Sequence, residues 1–235
     1  MTMQNQREIA SHREAVRGIQ FLLVFASCGL AYLIPYDAIF DRVTLGVPVV
    51  RASAMFFCCV AGLWLQKANG FSLGVVGLNR PALKIGGAAL VVAIWCVVLD
   101  GLVFRSILPG NYAAFEAQSL GVRLLYYCFR AFNENILYRL FLGSLFAWVL
   151  RRIWREQEHQ LVLSMLGMVL AHIINIAANV GYGHFTLAAS VWLFVRFCIP
   201  GFFWSWLYVR HGFATNEAAA IGVHLFLQPM VSLSF

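Results

Sequence analysis

The chain has 235 residues, 61% of them hydrophobic and only 11% charged, with a formal net charge of +7. Soluble domains carry about 25% charged residues, so this composition excludes a water-soluble globule. The long, unbroken apolar runs exclude the alternating pattern of a membrane β-barrel. The basic residues form neither a stripe nor an aromatic platform, which sets nucleic acid aside as a partner and leaves them as a topology code.

The elements follow in chain order. The N-terminal segment MTMQNQREIASHREAVR is polar and basic. No small-residue cleavage site follows its first apolar run, so it reads as an uncleaved anchor. Apolar runs at 18–36, 49–66, 85–104, 124–150, 160–180, 187–209 and 216–234 each approach the ~20 residues needed to cross a bilayer. They predict an all-α, polytopic transmembrane helical bundle of about seven spans, with six to eight compatible. Turn signals separate the runs: Pro35, Gly46-Val47-Pro48, Asn69-Gly70, Asn79-Arg80-Pro81, Pro109-Gly110-Asn111, Gly181-Tyr182-Gly183 and His211-Gly212. Residues 1–71 are expected to form a cytoplasmic segment and two scaffold spans, and residues 72–235 the functional core.

Alternate segments differ in charge. One set holds Arg7, Arg13, Arg17, Lys67, Arg80, Lys84, Arg151, Arg152, Arg155 and Arg210. The other holds Arg42, Arg105 and Arg123, with Arg51 at a span edge. Positive residues stay inside, so the N-terminus is expected in the cytoplasm; the expected location is a bacterial inner membrane. Cys28, Cys58, Cys59, Cys96, Cys128 and Cys198 all fall in apolar runs without a CxxC and read as small buried hydrophobes. Asp100, Arg105, Arg51 and Arg123 sit near span ends, where snorkelling to the interface is expected.

Polar residues inside the spans carry the functional signal, because an ionisable group in hydrocarbon is costly unless paired or hydrated. Glu134 lies about ten residues, or roughly 15 Å, from the outer end of the fourth run. His172 lies about eight residues, or roughly 12 Å, from the outer end of the fifth. His224 lies about ten residues from the outer end of the seventh, at a matching depth. Arg130 and Glu134, Asn135 and Arg139, and His224 and Gln228 are i,i+4 pairs that share helix faces. Pro229 should bend or end the last span beside Gln228. Arg196, near mid-membrane beside Pro200-Gly201, should bind a substrate carboxylate or pair with a neighbouring acid. A carboxylate and a histidine can hold and deprotonate a water. A second histidine with an amide can stabilise an oxyanion. Together they make a set for peptide hydrolysis without a protein nucleophile.

At these residues the chain resembles the CPBP family of glutamic intramembrane proteases (CAAX prenyl endopeptidase and bacteriocin-processing, abortive-infection-like). The family pattern EExxxR stands here as Glu134-Asn135-Ile136-Leu137-Tyr138-Arg139, FxxxH as Met168 to His172, and HxxxN or HxxxD as His224 to Gln228. The flanks 73–81 and 199–224 resemble the family too, so the likeness covers about residues 72–235. The resemblance implies an intramembrane endopeptidase without cofactor. Glu134 would be the general base, with His172 sharing the catalytic water. His224 and Gln228 would hold the oxyanion, and Arg139 would orient or support. Asn135 replaces the second glutamate, so a hydrogen bond replaces an ion pair, and Arg139 is left to lean on Glu134 or a carbonyl. The substrate would be a membrane-anchored protein tail or a leader peptide within the lipid bilayer, and anchor sorting is one such use. Two other readings stay open: a zinc-dependent membrane protease, since two histidines and a carboxylate can bind zinc, and a non-catalytic immunity or scaffold protein.

Overall fold

The computed structural model describes residues 3–35, 38–74, 80–107, 118–179 and 186–234, and every regular element among them is helical. α1 spans Met3–Leu33, α2 Ala38–Val43 and α3 Pro48–Ala68. α4 spans Arg80–Val98 and continues as a π-helical segment, π1, over Leu99–Val103. α5, Leu120–Glu134, runs through π2, Asn135–Gly143, into α6, Ser144–Ile153. α7 spans Gln160–Asn179. α8, Leu187–Leu193, passes through π3, Phe194–Cys198, into α9, Ile199–His211, and α10 spans Phe213–Ser234.

Five helical stretches are long and apolar enough to cross a membrane: Val16–Leu33, Pro48–Ala68, Leu83–Val103, Gln157–Ala178 and Leu187–His211. They coincide with the first, second, third, fifth and sixth expected runs. The chain is therefore an all-helical, multi-pass integral membrane protein. Large apolar side chains face outward, with Phe25 74% and Leu187 83% exposed, a surface that suits lipid and not water. The remaining two runs are helical as well, but more polar. The α5–π2–α6 rod carries Arg123, Arg130, Glu134 and Arg139, and α10 carries Asn216, Glu217, His224 and Gln228.

Helical periodicity explains how α10 serves two neighbours. Ala219, Val223, Leu227 and Val231 repeat every four residues and pack against Ala89, Ala93 and Cys96 of α4. Small residues on α4 let the two backbones approach closely. Glu217, His224 and Gln228, spaced by seven and four, lie on a different face, and α10 also packs against α5. A second core joins Ala31, Met55 and Cys59 of α1 and α3 to Ile136, Leu137, Tyr138 and Leu140 of π2, with Met168, Tyr208 and Phe213.

The start of α10 is fixed by the backbone. Gly212 closes α9 at φ +94°, a left-handed conformation that favours glycine. Phe213 N then donates to Ser72 O at 3.1 Å and Ala214 N to Leu73 O at 2.7 Å. Two amides that a helix start leaves without intrahelical partners are thereby satisfied. That contact sets the position of Glu217 one turn further on. Pro229 lies inside α10, which runs on to Ser234. Of the bend or end expected beside Gln228, the end does not occur: one lost backbone bond is outweighed by the apolar stripe that docks both sides of Pro229 on α4.

Three residues expected at the interface are buried instead. Arg51, 5% exposed, donates from Nε to Ala31 O at 2.7 Å and from Nη2 to Tyr32 O at 3.2 Å, and pairs with Asp41 at 2.7 Å. It satisfies the last carbonyls of α1, as basic side chains do at helix C-termini. Arg123, 3% exposed, donates to Ser232 Oγ, and Asp100, 2% exposed, is paired with Arg196. Of the four, Arg105 is exposed as expected.

Candidate functional site

π-Helices are rare and concentrate at functional sites. Here Asp100 lies in π1, Arg139 in π2 and Arg196 in π3, while Glu134 sits at the α5–π2 junction. A π-helical turn shifts backbone pairing by one residue, and Pro200 contributes no amide hydrogen. Carbonyls of π3 thus serve neighbouring side chains: Trp95 Nε1 donates to Val195 O at 3.0 Å, and His172 Nε2 lies 3.0 Å from Phe197 O.

The latter contact decides the state of His172. A carbonyl only accepts, so Nε2 carries a hydrogen, and in the neutral ring Nδ1 presents its lone pair. Nδ1 is buried and has no hydrogen-bond partner among the described residues. Gly201 makes the placement possible, because a Cβ there would lie 2.0 Å from the His172 ring. Backbone on one side and a glycine surface on the other lock the imidazole.

α5 presents Tyr127, Arg130 and Glu134 along the side that meets α10. Tyr127 stacks on His224 with ring centroids 5.6 Å apart and planes 18° from parallel. Glu134 Oε1 accepts from Arg130 Nε at 2.6 Å. Arg130 and Arg196 are the cations that act on His224. His224 Nδ1 and Gln228 Oε1 are buried and without hydrogen-bond partners among the described residues. Further along the rod, Asn135 Oδ1 accepts from Arg139 Nη1. Arg139 is the charged neighbour that acts on His172.

The rod is therefore the shared wall. Arg130 of the first pair acts on His224, and Arg139 of the second acts on His172. All buried side-chain N and O atoms without a hydrogen-bond partner among the described residues lie on α5, π2, α7 or α10: on Arg123, Asn133, Asn135, Arg139, His172, Asn216, Glu217, His224 and Gln228. Each such group costs about 1–3 kcal/mol unless water or a ligand satisfies it. The clustering on one set of facing helices marks a polar interior.

Arg196 does not join that open set. Its Nε donates to Asp100 Oδ2 at 2.9 Å, while Trp192 Nε1 donates to Asp100 Oδ1 at 2.9 Å. Of the two uses expected for Arg196, pairing with an acid is the observed one.

Sequence reasoning missed Glu217, which is 7% exposed and faces Asn135 and Arg139. Arg139 had been expected to lean on Glu134 or a carbonyl. Of the two carboxylates that act on it, Glu217 acts more strongly than Glu134. The available signal was spacing: Glu217 precedes His224 by seven residues, two turns on one face. Among the described residues, no three His, Cys, Asp or Glu side chains are grouped as metal ligands. Comparison with protein-family models, curated proteins and solved structures finds no match.

Proposed function

We propose that the chain is a seven-span intramembrane endopeptidase of the glutamic type, resembling the CPBP family, with its N-terminus in the cytoplasm of a bacterial inner membrane. The α5–π2–α6 rod and α10 are its fourth and seventh spans. The observation that carries this reading is a pair of half-buried histidines, His172 and His224, whose buried Nδ1 atoms have no hydrogen-bond partner among the described residues, on helices that pack against the rod bearing Glu134.

In the reaction, Glu134 takes a proton from a water that His172 Nδ1 helps to hold, and the hydroxide adds to the scissile carbonyl carbon. His224 and the Gln228 amide stabilise the resulting oxyanion. When the tetrahedral species collapses, the C–N bond breaks and the proton on Glu134 passes to the leaving amine. Arg130 holds Glu134 Oε1 and orients the carboxylate for the first step. The low-dielectric surroundings strengthen each of these interactions. The substrate is a membrane-embedded protein tail or a leader peptide, because the polar groups lie among helices with lipid-facing apolar surfaces.

Mass spectrometry of membrane peptides from cells with wild-type or Glu134→Gln protein tests the proposal. An uncut membrane protein should accumulate only with the variant, at equal expression. A second reading is favoured by the Arg130–Glu134 ion pair, which gives the carboxylate a structural partner and suits a non-catalytic immunity or scaffold protein. Identical peptide profiles, with Glu134→Gln still supporting the cellular phenotype, would favour that reading.

A further inference from the structure

Glu217 has no part in the steps above, yet it is a buried charged group. It is 7% exposed, and neither carboxylate oxygen has a hydrogen-bond partner among the described residues. It faces Asn135 and Arg139 of π2. Arg139 is 5% exposed and its Nε is without a hydrogen-bond partner among the described residues. A guanidinium stays protonated in proteins, and a buried cation needs a nearby anion. Four residues before Arg139 on its own helix stands neutral Asn135, which offers an oxygen but no charge. The Asn135 Nδ2 group lacks a partner and lies beside Glu217, short of hydrogen-bond geometry.

We propose that Glu217 is a positioning residue of the site: from the last helix it supplies the counter-charge to Arg139 that Asn135 cannot. Asn135 sits between the two, with Oδ1 bound to the guanidinium and Nδ2 turned to the carboxylate. The arrangement ties α10 to π2 and fixes Arg139, the cation that acts on His172. Glu134 meanwhile keeps its hydrogen bond to Arg130. The backbone bonds from Phe213 and Ala214 to Ser72 and Leu73 anchor the turn of α10 that carries Glu217. The effect on processing rests on the proposed hydrolytic reading, whereas the charge pairing does not.

Moving the carboxylate tests this. Glu217→Gln removes it, and Asn135→Glu in the same chain restores a carboxylate four residues before Arg139. Two readouts are taken for wild type, the single variant and the double variant: the melting temperature of the purified protein in detergent, and the level of the uncut membrane protein per folded molecule. Glu217→Gln should lower the melting temperature and reduce processing at least tenfold. The double variant should recover most of both. Wild-type behaviour of Glu217→Gln, or a double variant as defective as the single, would overturn the proposal. A melting temperature that falls and recovers while processing never changes would reduce Glu217 to a structural pairing and also overturn it. If Glu134→Gln leaves the peptide profile unchanged, the hydrolytic reading fails, and recovery of the melting temperature alone judges the pairing.

Discussion

Two buried polar clusters share this bundle, and they are built in opposite ways. Around Asp100, both carboxylate oxygens are occupied, one by Arg196 and one by Trp192. Along α5 and π2, the side chains of Asn135, Arg139, His172, Glu217, His224 and Gln228 each keep an atom without a hydrogen-bond partner among the described residues. Both clusters use π-helical segments to bring charge inside. A closed cluster joins α4 to the α8–α9 helix and asks nothing of a ligand. An open cluster holds donors and acceptors ready, at a cost in stability that a purely structural element has no reason to bear.

The contrast can be broken most sharply at Asp100. Asp100→Ala takes the buried carboxylate away from Arg196 and Trp192 and should destabilise the protein by about 3–5 kcal/mol, read as thermal unfolding in detergent. Glu134→Gln should melt close to wild type by the same measurement. Replacing both partners of the closed pair, as Asp100→Leu with Arg196→Met, should recover most of the lost stability and keep processing intact. A double variant that melts like wild type yet no longer processes its substrate would move Arg196 into the working site.

Smaller effects sharpen the same division. Gly201→Ala places a methyl group against the His172 ring and should destabilise the protein by about 1–3 kcal/mol. Its loss of processing should exceed what the loss of folded protein explains, because the imidazole must move away from Phe197 O. Trp192→Phe removes one donor from Asp100 and should lower stability by about 1–3 kcal/mol, less than Asp100→Ala, with processing per folded molecule unchanged.

The membrane class and five spanning helices were legible because hydrocarbon selects for long apolar runs, and that signal is local in sequence. Arg130–Glu134 and Asn135–Arg139 were legible for the same reason, since helical spacing places them on one face. Glu217 was not, because its partners lie on another helix and the first turns of the last run look like any polar helix entry. Asp100, Arg51 and Arg123 were misplaced at the interface for a related reason. Closeness to a span end predicts snorkelling, but Trp192, Arg196, the carbonyls of α1 and Ser232 reach them inside the fold. Pro229 was expected to bend or end the last helix, and tertiary packing carries the helix through it.

The central claim is that Glu134, His172 and His224 act as one unit, and non-additivity tests that most directly. Membrane-peptide mass spectrometry would compare Glu134→Gln, His172→Asn and His224→Asn with the double variants Glu134→Gln/His172→Asn and Glu134→Gln/His224→Asn. Each single variant is predicted to accumulate the same uncut protein, and neither double should add to the loss. A well-folded single variant that processes as wild type does, or single variants that accumulate different proteins, would contradict the account.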